Sequence, residues 1–389
     1  MANKKLRRTG LPAELCNRLS RHQIETCQDF LSLTPLELMR MAGQSYQQVQ
    51  KLLRTVSQGC APKMTTALEL RDRRSRSCFP TSLRGLDRVL NGGLACGTLT
   101  EVTGPSGCGK TQFCMMLSVL ATLPRSMGGL DSAVAYIDSE SAFSAERLVE
   151  IALNRFPQYF SVQERLSEMA ERIYLFRELT CQSVLKRLQS LEEDIISKKV
   201  GLVIVDSIAS VVRKEFDTSL PGNLSERSNL LVQQAATLKY LAEEFAIPVL
   251  LTNQITTHLR VKDAAPVHEE QSIPAEFVQC AEDSRYVTAA LGNTWSHSVN
   301  TRLIVQYLDS QRRQIIVAKS PVAPFAVFNY TLQKDGLHLE ACFLCLPVLE
   351  GSLESVTSVK QGLRHISCFY GILTMDTAEG LLDTVHLIF

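Results

Sequence analysis

The sequence contains no run of about eighteen apolar residues, the shortest stretch that readily spans a bilayer as a helix. Its first eight residues are basic, and the apolar stretch of a secretory signal does not follow them. Internal repeats and low-complexity tracts are also missing. Apolar residues make up 45% of the 389 residues, an ordinary proportion for a globular protein. We therefore expect a globular chain with a large core and no membrane partner.

The twelve cysteines lack the spacing of metal ligands. Cys342 and Cys345 form a lone C-x-x-C without a second pair, so we predict neither a zinc site nor a redox motif there. Free thiols in a long chain without an export signal indicate a reducing compartment, either the cytosol or the nucleus.

Positive charge is concentrated near the start of the chain. Residues 1–80 contain 14 Lys and Arg against 6 Asp and Glu, whereas the whole chain has a net charge of only +1. A basic module beside an acidic remainder suggests contact with a polyanion, although a solvated, charged linker is the alternative. The four cations at the start are either a solvated terminus, the simpler interpretation, or a nuclear localisation signal: Lys4, Lys5, Arg7 and Arg8.

Apolar residues recur at helical spacing in four short stretches, 11–19, 24–31, 35–41 and 45–56. Thr34, Pro35 and Glu37 form a helix-start pattern. We predict a small all-helical N-terminal domain over residues 1–60. Residues 61–80 lack clear periodicity and end in a basic stretch, so we interpret them as a linker that carries an assembly motif.

From about residue 81 the pattern alternates between strands and helices. Short apolar runs at 99–103, 133–138, 173–176, 202–206 and 248–252 are typical of parallel strands buried on both faces. Four helical stretches separate them: 110–123, 144–155, 184–197 and 224–245. After a polar loop at 256–285, four antiparallel edge strands are expected: 286–291, 302–308, 314–319 and 325–332. The predicted fold is α/β, a mostly parallel sheet with antiparallel edge strands and helices on both faces. It spans 81–340, and 341–389 form a divergent C-terminal tail.

The segment from Gly104 to Thr111 matches the phosphate-loop pattern G-x-x-x-x-G-K-S/T in full. Glycines let backbone N–H groups turn toward phosphate oxygens, and the following helix presents its positive end to the anion. Lys110 can reach the β- and γ-phosphates, and the Thr111 hydroxyl can hold Mg²⁺. We predict ATP with Mg²⁺, bound by Gly104, Pro105, Ser106, Gly107, Cys108, Gly109, Lys110, Thr111 and Gln112.

Polar side chains follow three of the predicted strands. Asp206 ends one strand, where a carboxylate can support Mg²⁺ together with Thr111. Glu140 follows a second strand, where a carboxylate can activate the attacking water; a solvated loop glutamate is the alternative. Gln254 follows a third strand and is a candidate γ-phosphate sensor, or otherwise a buried, satisfied amide.

These motifs, in this order, resemble the ATPase core of the eukaryotic RecA-type recombinases. Residues 136–148, 202–207 and 250–255 look like the signatures of that family, and residues 213–216 and 291–297 look like those of its recombinase paralogues. The resemblance covers roughly residues 1–340 and implies a RecA-like P-loop ATPase. It implies an ATP-binding and DNA-binding subunit of a nuclear paralogue complex in homologous-recombination repair of double-strand breaks. That complex would support assembly of the main recombinase on single-stranded DNA.

The resemblance also implies partners and residue roles. The partners would be single-stranded and branched DNA, the C-type paralogue directly, and the D-type paralogue and a smaller fourth paralogue in the same complex. Glu140 and Lys110 would act in weak, DNA-stimulated ATP hydrolysis. Arg147 would pack on the adenine, unless it is an ordinary helix-surface arginine. The positions implied to contact DNA are Arg213, Arg227, His258 and Arg260.

Three segments depart from the family pattern. The self-assembly motif F-x-x-A is replaced by a stretch from Met64 to Ala67, in which methionine lacks the aromatic anchor. We therefore expect Met64 and Ala67 to bind a different subunit rather than a copy of this chain. Lys319 stands where the family has an acidic residue before Ser-Pro, and this reversal would replace a bound cation or weaken the ATP cap. The tail 341–389 matches nothing expected of the family.

Two alternatives to a DNA-stimulated ATPase stay open. One is a scaffold subunit that holds ATP as a structural ligand with little turnover. The other is a hexameric helicase of RecA fold, against which the basic helical module argues.

Overall fold

A computed structural model describes residues 4–61, 64–74, 78–216, 221–259 and 285–340. Within these residues no helix combines the length and apolarity needed to cross a bilayer. The C-terminal stretch 341–389 and Arg260, for which we made predictions, lie outside the described residues.

The N-terminal part consists of short helices that begin at side-chain caps. Its helices are α1 (Ala13–Ser20), α2 (Cys27–Ser32), α3 (Pro35–Ala42), α4 (Tyr46–Cys60) and α5 (Ala67–Arg74). Capping boxes satisfy the free backbone N–H groups at the starts of α2, α3 and α4 through Thr26–Asp29, Thr34–Glu37 and Ser45–Gln48. Gly43, at φ 64°, joins α3 to α4 in the left-handed conformation that glycine adopts without strain. The predicted helix start at Thr34 is thus present.

Helices α1 to α4 enclose a hydrophobic cluster of their own, which includes Leu19, Phe30, Leu38 and Val49. Helix α5 lies in the segment that we interpreted as a linker. Its periodicity was not evident from sequence because no buried apolar face accompanies it: residues 64–72 are all exposed.

The basic start of the chain packs on the rest of the protein instead of being freely solvated. The Arg8 guanidinium lies 3.1 Å from the Glu192 carboxylate and 2.9 Å from that of Glu244. It also donates to the Tyr240 hydroxyl at 3.2 Å and lies over the Phe245 ring. The expectation of a solvated terminus is therefore wrong for Arg8, since acidic groups far along the chain could not be assigned to it from sequence.

The larger part alternates strands and helices as predicted. Its helices are α6 (Arg84–Val89), α7 (Lys110–Thr122), α8 (Ala145–Arg155), α9 (Pro157–Phe160), α10 (Gln163–Glu171), α11 (Cys181–Lys198), α12 (Ile208–Glu215), α13 (Pro221–Phe245) and α14 (Gly292–Ser298). Its strands are β1 (Cys78–Phe79), β2 (Leu94–Ala95), β3 (Leu99–Thr103), β4 (Ala133–Asp138), β5 (Ile173–Arg177), β6 (Val200–Asp206), β7 (Val249–Asn253), β8 (Ile255–Leu259), β9 (Arg285–Ala289), β10 (Thr301–Tyr307), β11 (Arg313–Lys319), β12 (Ala326–Gln333) and β13 (Gly336–Leu339).

Nine of the described strands form one sheet in the order β13-β12-β11-β10-β3-β7-β6-β4-β5. The strands from β10 to β5 pair in parallel, and β10 to β13 pair antiparallel, as predicted for the edge. Successive side chains of a strand point to opposite faces. Accordingly Leu202 and Ile204 of β6 belong to one hydrophobic layer, and Val203 and Val205 belong to the other. The predicted α/β fold with helices on both faces is confirmed.

Two predictions for the later strands were wrong. The stretch around 286–291 does not lie at the edge of the large sheet, because β9 pairs with β8 in a separate two-stranded sheet. Strand β8 itself lies in the segment predicted as a loop. Its polar residues gave no strand pattern, and its pairing depends on a partner that is distant in sequence. Strand β13 at the outer edge was not predicted, since it is only four residues long.

Candidate nucleotide-binding site

The phosphate loop connects β3 to α7 at the carboxyl edge of the parallel strands. Gly104 lies so close to β10 that a Cβ added to it would be 2.1 Å from the Val305 carbonyl oxygen. Gly109, at φ 95°, immediately precedes α7, and an added Cβ would lie 2.8 Å from Leu332. The glycines of the motif are thus required by backbone geometry, which leaves the loop free to wrap an anion.

Lys110 is folded over the phosphate loop. Its ammonium donates 2.8 Å hydrogen bonds to the carbonyl oxygens of Gly104 and Pro105. Burial lowers the pKa of Lys110 from its ordinary value, while Cys108, Asp206 and Glu140 oppose that shift. A polyphosphate is a stronger acceptor than two neutral carbonyls. The Lys110 ammonium can therefore leave these carbonyls and bind a phosphate instead.

Two tyrosines from neighbouring strands brace the back of the loop. Tyr307 of β10 donates to the Ser106 carbonyl at 3.1 Å, and Tyr330 of β12 donates to the Cys108 carbonyl at 2.5 Å. Each hydrogen bond fixes one carbonyl of the loop and so limits how its backbone can turn. The sequence offered no signal for either tyrosine, because both lie about two hundred residues from the loop.

Asp206 ends β6 at the floor of the cleft. Its two carboxylate oxygens accept hydrogen bonds from Tyr136 at 2.7 Å and Thr252 at 2.5 Å. Each oxygen keeps further acceptor capacity, and Thr111 lines the same cleft. Magnesium in nucleotide sites takes one or two protein oxygens besides phosphates and water, so this donor set fits Mg²⁺. The described residues contain no cluster of three or more metal-binding side chains.

The loop after β4 holds Glu140 at the cleft. The buried carboxylate of Asp138 accepts hydrogen bonds from the backbone N–H groups of Glu140, Ala142 and Phe143 at 3.1–3.2 Å. Sequence reasoning missed this role of Asp138, although an aspartate at a strand end is a frequent acceptor for backbone groups. The Glu140 side chain is therefore carried by a tightly turned loop.

Gln254 connects Glu140 to Arg213. Its side-chain nitrogen donates to Glu140 Oε1 at 2.8 Å, and its side-chain oxygen accepts from Arg213 at 3.0 Å. Arg213 also donates to the Ile255 carbonyl at 3.3 Å. Three residues that lie far apart in the sequence thus form one hydrogen-bonded chain.

The cleft has a volume of about 720 Å³. It brings together most of the predicted nucleotide-binding residues: Gly104, Pro105, Ser106, Gly107, Gly109, Lys110, Thr111, Gln112, Glu140, Arg147, Asp206 and Gln254. Cys108 is buried behind them. Arg147 lies at the far end, where it donates to Gln112 at 2.7 Å and to the carbonyls of Gln333 and Lys334.

The remaining predicted residues lie away from the cleft. Arg227 donates to the Ala290 carbonyl at 3.0 Å, and burial lowers its pKa. The backbone of His258 is in β8, and its side chain lies outside the described residues. Met64 is fully exposed, and Ala67 begins α5.

Lys319 lies at the end of β11, against α14. Its ammonium donates to the Ser296 carbonyl at 2.8 Å and to the Val299 carbonyl at 2.9 Å. A cation at the carboxyl end of a helix stabilises the helix dipole.

Comparison with known proteins gives the family. Residues 72–339 match the family model described as Rad51, and residues 6–60 match the model described as an XRCC3/RpoA-like helix-hairpin-helix domain. The DNA repair protein RAD51 homolog 2 of Homo sapiens is 60% identical over 352 residues, which are 89% of this chain and 91% of that protein. Its counterpart in Mus musculus is 61% identical over 347 residues, covering 87% and 99%.

A plant relative of the same name, from Arabidopsis thaliana, is 33% identical over 345 residues, covering 87% of this chain and 91% of that protein. The expected resemblance to a recombinase paralogue is thus confirmed. The similarity to RAD51 homolog 2 supports membership of the B-type subgroup of these paralogues. The relatives are named as DNA repair and meiotic recombination proteins. The chain belongs to the Rad51 family.

Proposed function

We propose that this chain is an ATP-binding and ATP-hydrolysing subunit of a recombinase-paralogue complex in homologous-recombination repair in the nucleus. The observation that carries the proposal is the hydrogen-bonded chain from Glu140 through Gln254 to Arg213. It joins the carboxylate beside the phosphate loop to an arginine at the end of α12. Occupancy of the nucleotide cleft and contact with DNA can therefore influence one another through neighbouring side chains.

Each residue of the cleft has a role in this proposal. Lys110 and the loop N–H groups would bind the phosphates, and Arg147 with the turn at Gln333 would lie beside the adenine. Asp206 and Thr111 would hold Mg²⁺, which would neutralise phosphoryl charge. Glu140 orients and deprotonates water, and its hydrogen bond to Gln254 sets the direction of its carboxylate.

DNA contact is assigned to the arginines near β8 and β9. Arg213 and Arg227, with His258 and Arg260, would neutralise phosphates of single-stranded or branched DNA without reading sequence. Arg213 is exposed, which suits this role. Because its guanidinium already contacts Gln254, a phosphate that draws it away would release the amide toward the nucleotide.

Assembly is assigned to the exposed segment before α5. Met64 would enter a pocket of the C-type paralogue, with Ala67 beside it, and the D-type and smaller paralogues would join the same complex. An apolar side chain that is completely exposed in the single chain gains free energy when a partner buries it.

The catalytic part is tested by single-turnover ATP hydrolysis with and without single-stranded DNA. Glu140→Gln should slow hydrolysis about a hundredfold, since a positioned base contributes on that order. ATP binding, measured with a fluorescent ATP analogue, should be retained. Glu171→Gln, an exposed glutamate at the end of α10, is the matched control. Equal rates for wild type and Glu140→Gln would remove the catalytic role.

A scaffold that holds ATP with little turnover is the second candidate. The contacts of Lys319 with the Ser296 carbonyl in α14 and the Val299 carbonyl just after it favour the scaffold, because this lysine is already engaged within its own chain. Two results together would support the scaffold: the complex forms only when ATP is present, and DNA does not stimulate ATP hydrolysis.

A further inference from the structure

We propose that Glu101 is a positioning residue for ATP hydrolysis, which acts by fixing the orientation of Asn253 and thereby of Gln254. The proposal rests on the proposed function, because it concerns the geometry of the same cleft. Glu101 lies on β3, three residues before Gly104, and its side chain does not line the cleft. It therefore acts through its neighbours.

Glu101 is completely buried and accepts hydrogen bonds from three side chains. Oε1 accepts from Asn253 Nδ2 and from the indole nitrogen of Trp295, both at 2.7 Å. Oε2 accepts from the Arg302 guanidinium at 2.5 Å. A buried carboxylate must be paired and hydrogen-bonded to be tolerated, so its partners are held in defined positions.

The contact with Asn253 determines which way that amide faces. Its Nδ2 group donates to Glu101, and its Oδ1 atom accepts the backbone N–H of Gln254 at 2.8 Å. A flipped amide would direct an NH₂ group at the Gln254 N–H, and donor would face donor. The Glu101 carboxylate, which can only accept, therefore selects the orientation that binds Gln254.

The backbone carbonyl of Gln254 is also hydrogen-bonded to neighbouring residues. It accepts from the Ala290 N–H at 2.9 Å and from the Thr103 hydroxyl at 3.3 Å. With N–H and carbonyl both engaged, the residue departs from β7 in one direction, toward Glu140. Because β3 carries both Glu101 and the phosphate loop, the carboxylate ties the sensor strand to the loop that holds the phosphates.

The first test combines kinetics with a double-mutant cycle. Glu101→Gln should lower kcat about tenfold or more, as expected for a small misplacement of catalytic groups. KM for ATP should change little. In a Gln254→Ala background, Glu101→Gln should cause no further loss, because both act through one residue. If the loss of kcat in the double variant equalled the product of the two single losses, Glu101 would act independently of Gln254. That result would overturn the proposal.

Trp295→Phe is the matched control. It removes one donor from the same carboxylate and leaves the Asn253 contact in place, so kcat should stay near that of the wild type. If Trp295→Phe lowered kcat as much as Glu101→Gln does, the effect would come from a general disturbance of packing around the carboxylate. That result would contradict the proposal. Should Glu101→Gln fail to fold, Asn253→Ala takes its place, with the same expected split between kcat and KM.

Hydrogen exchange gives a readout that does not depend on turnover. The N–H groups of Gln254 and Ala290 donate the hydrogen bonds described above, so they should exchange slowly in the wild type. Their exchange should accelerate in Glu101→Gln or Asn253→Ala and stay slow in Trp295→Phe. Unchanged exchange at Gln254 would overturn the proposal. If the wild type does not hydrolyse ATP while exchange responds as expected, the proposed catalytic function fails, and with it the role of Glu101 in hydrolysis; the result would still show that Glu101 orients Asn253 and Gln254.

Discussion

The side-chain amide of Gln254 donates a 2.8 Å hydrogen bond to the carboxylate of Glu140. The two residues follow strands β7 and β4, which are separated in the sheet by β6. Parallel strands bring their carboxyl ends to one edge, and so place both groups at the same cleft. The pair is the point at which the predicted base and the predicted sensor meet.

Gln254→Ala should slow ATP hydrolysis about tenfold, because Glu140 loses the contact that sets its direction. ATP affinity should change much less, since the phosphate loop is untouched. Single-turnover hydrolysis and titration with a fluorescent ATP analogue separate the two effects. Gln314→Ala, on β11, controls for loss of an amide. A weakened ATP affinity with unchanged hydrolysis would contradict this role.

Arg213→Ala and Arg227→Ala should each weaken DNA binding uniformly across sequences. Each should also reduce the slope of log affinity against log salt by about 1, because one phosphate contact is lost. Fluorescence anisotropy over a range of salt concentrations measures this slope. Arg84→Ala, an exposed arginine on α6, serves as the control. Unchanged slopes would count against both assignments.

Tyr330→Phe should weaken ATP binding about fivefold, which corresponds to the roughly 1 kcal/mol of one hydrogen bond. The substitution frees the Cys108 carbonyl and lets the phosphate loop turn. Isothermal titration with ATP and Mg²⁺ measures the change. Tyr46→Phe in the N-terminal helices is the control. An affinity equal to that of the wild type would show that the loop keeps its shape without this brace.

Arg8→Ala should lower the free energy of unfolding by about 2 kcal/mol, because charged hydrogen bonds to Glu192 and Glu244 are lost. Limited digestion with chymotrypsin should then cut faster between the helical part and the sheet. Arg7→Ala is a close control, since the Arg7 guanidinium donates to the Asn17 side chain within the first helices. The anchoring role would be refuted by equal digestion of both variants.

Met64→Glu should leave the thermal stability of the single chain unchanged, because Met64 is fully exposed there. Co-purification with the C-type paralogue should be lost, since a charge would enter an apolar pocket. Thr65→Glu adds the same charge one residue later and controls for electrostatics. If Met64→Glu still co-purifies at wild-type yield, the assembly role of Met64 is refuted.

Much of the fold was predictable because its signals are local. The phosphate loop is a contiguous motif, and β6 is an apolar run that ends in Asp206. The capping residue Thr34 acts within one helical turn. The two wrong strand predictions concern β8 and β9, which depend on each other as partners across a long stretch of sequence. The strand β13 was missed because it is only four residues long, and the exposed helix α5 was missed because it has no buried apolar face.

The sequence by itself determined the family, the main alternation of strands and helices after residue 81, and the choice of Lys110, Glu140 and Gln254 as candidates. Only the tertiary structure decided which distant groups support the site, namely Glu101 behind Asn253 and Tyr330 behind the phosphate loop. It also decided that Arg8 is anchored on Glu192 and Glu244. Helix caps and glycine turns are set by neighbours within a few residues, whereas a buried hydrogen bond forms between whatever groups the sheet order brings together.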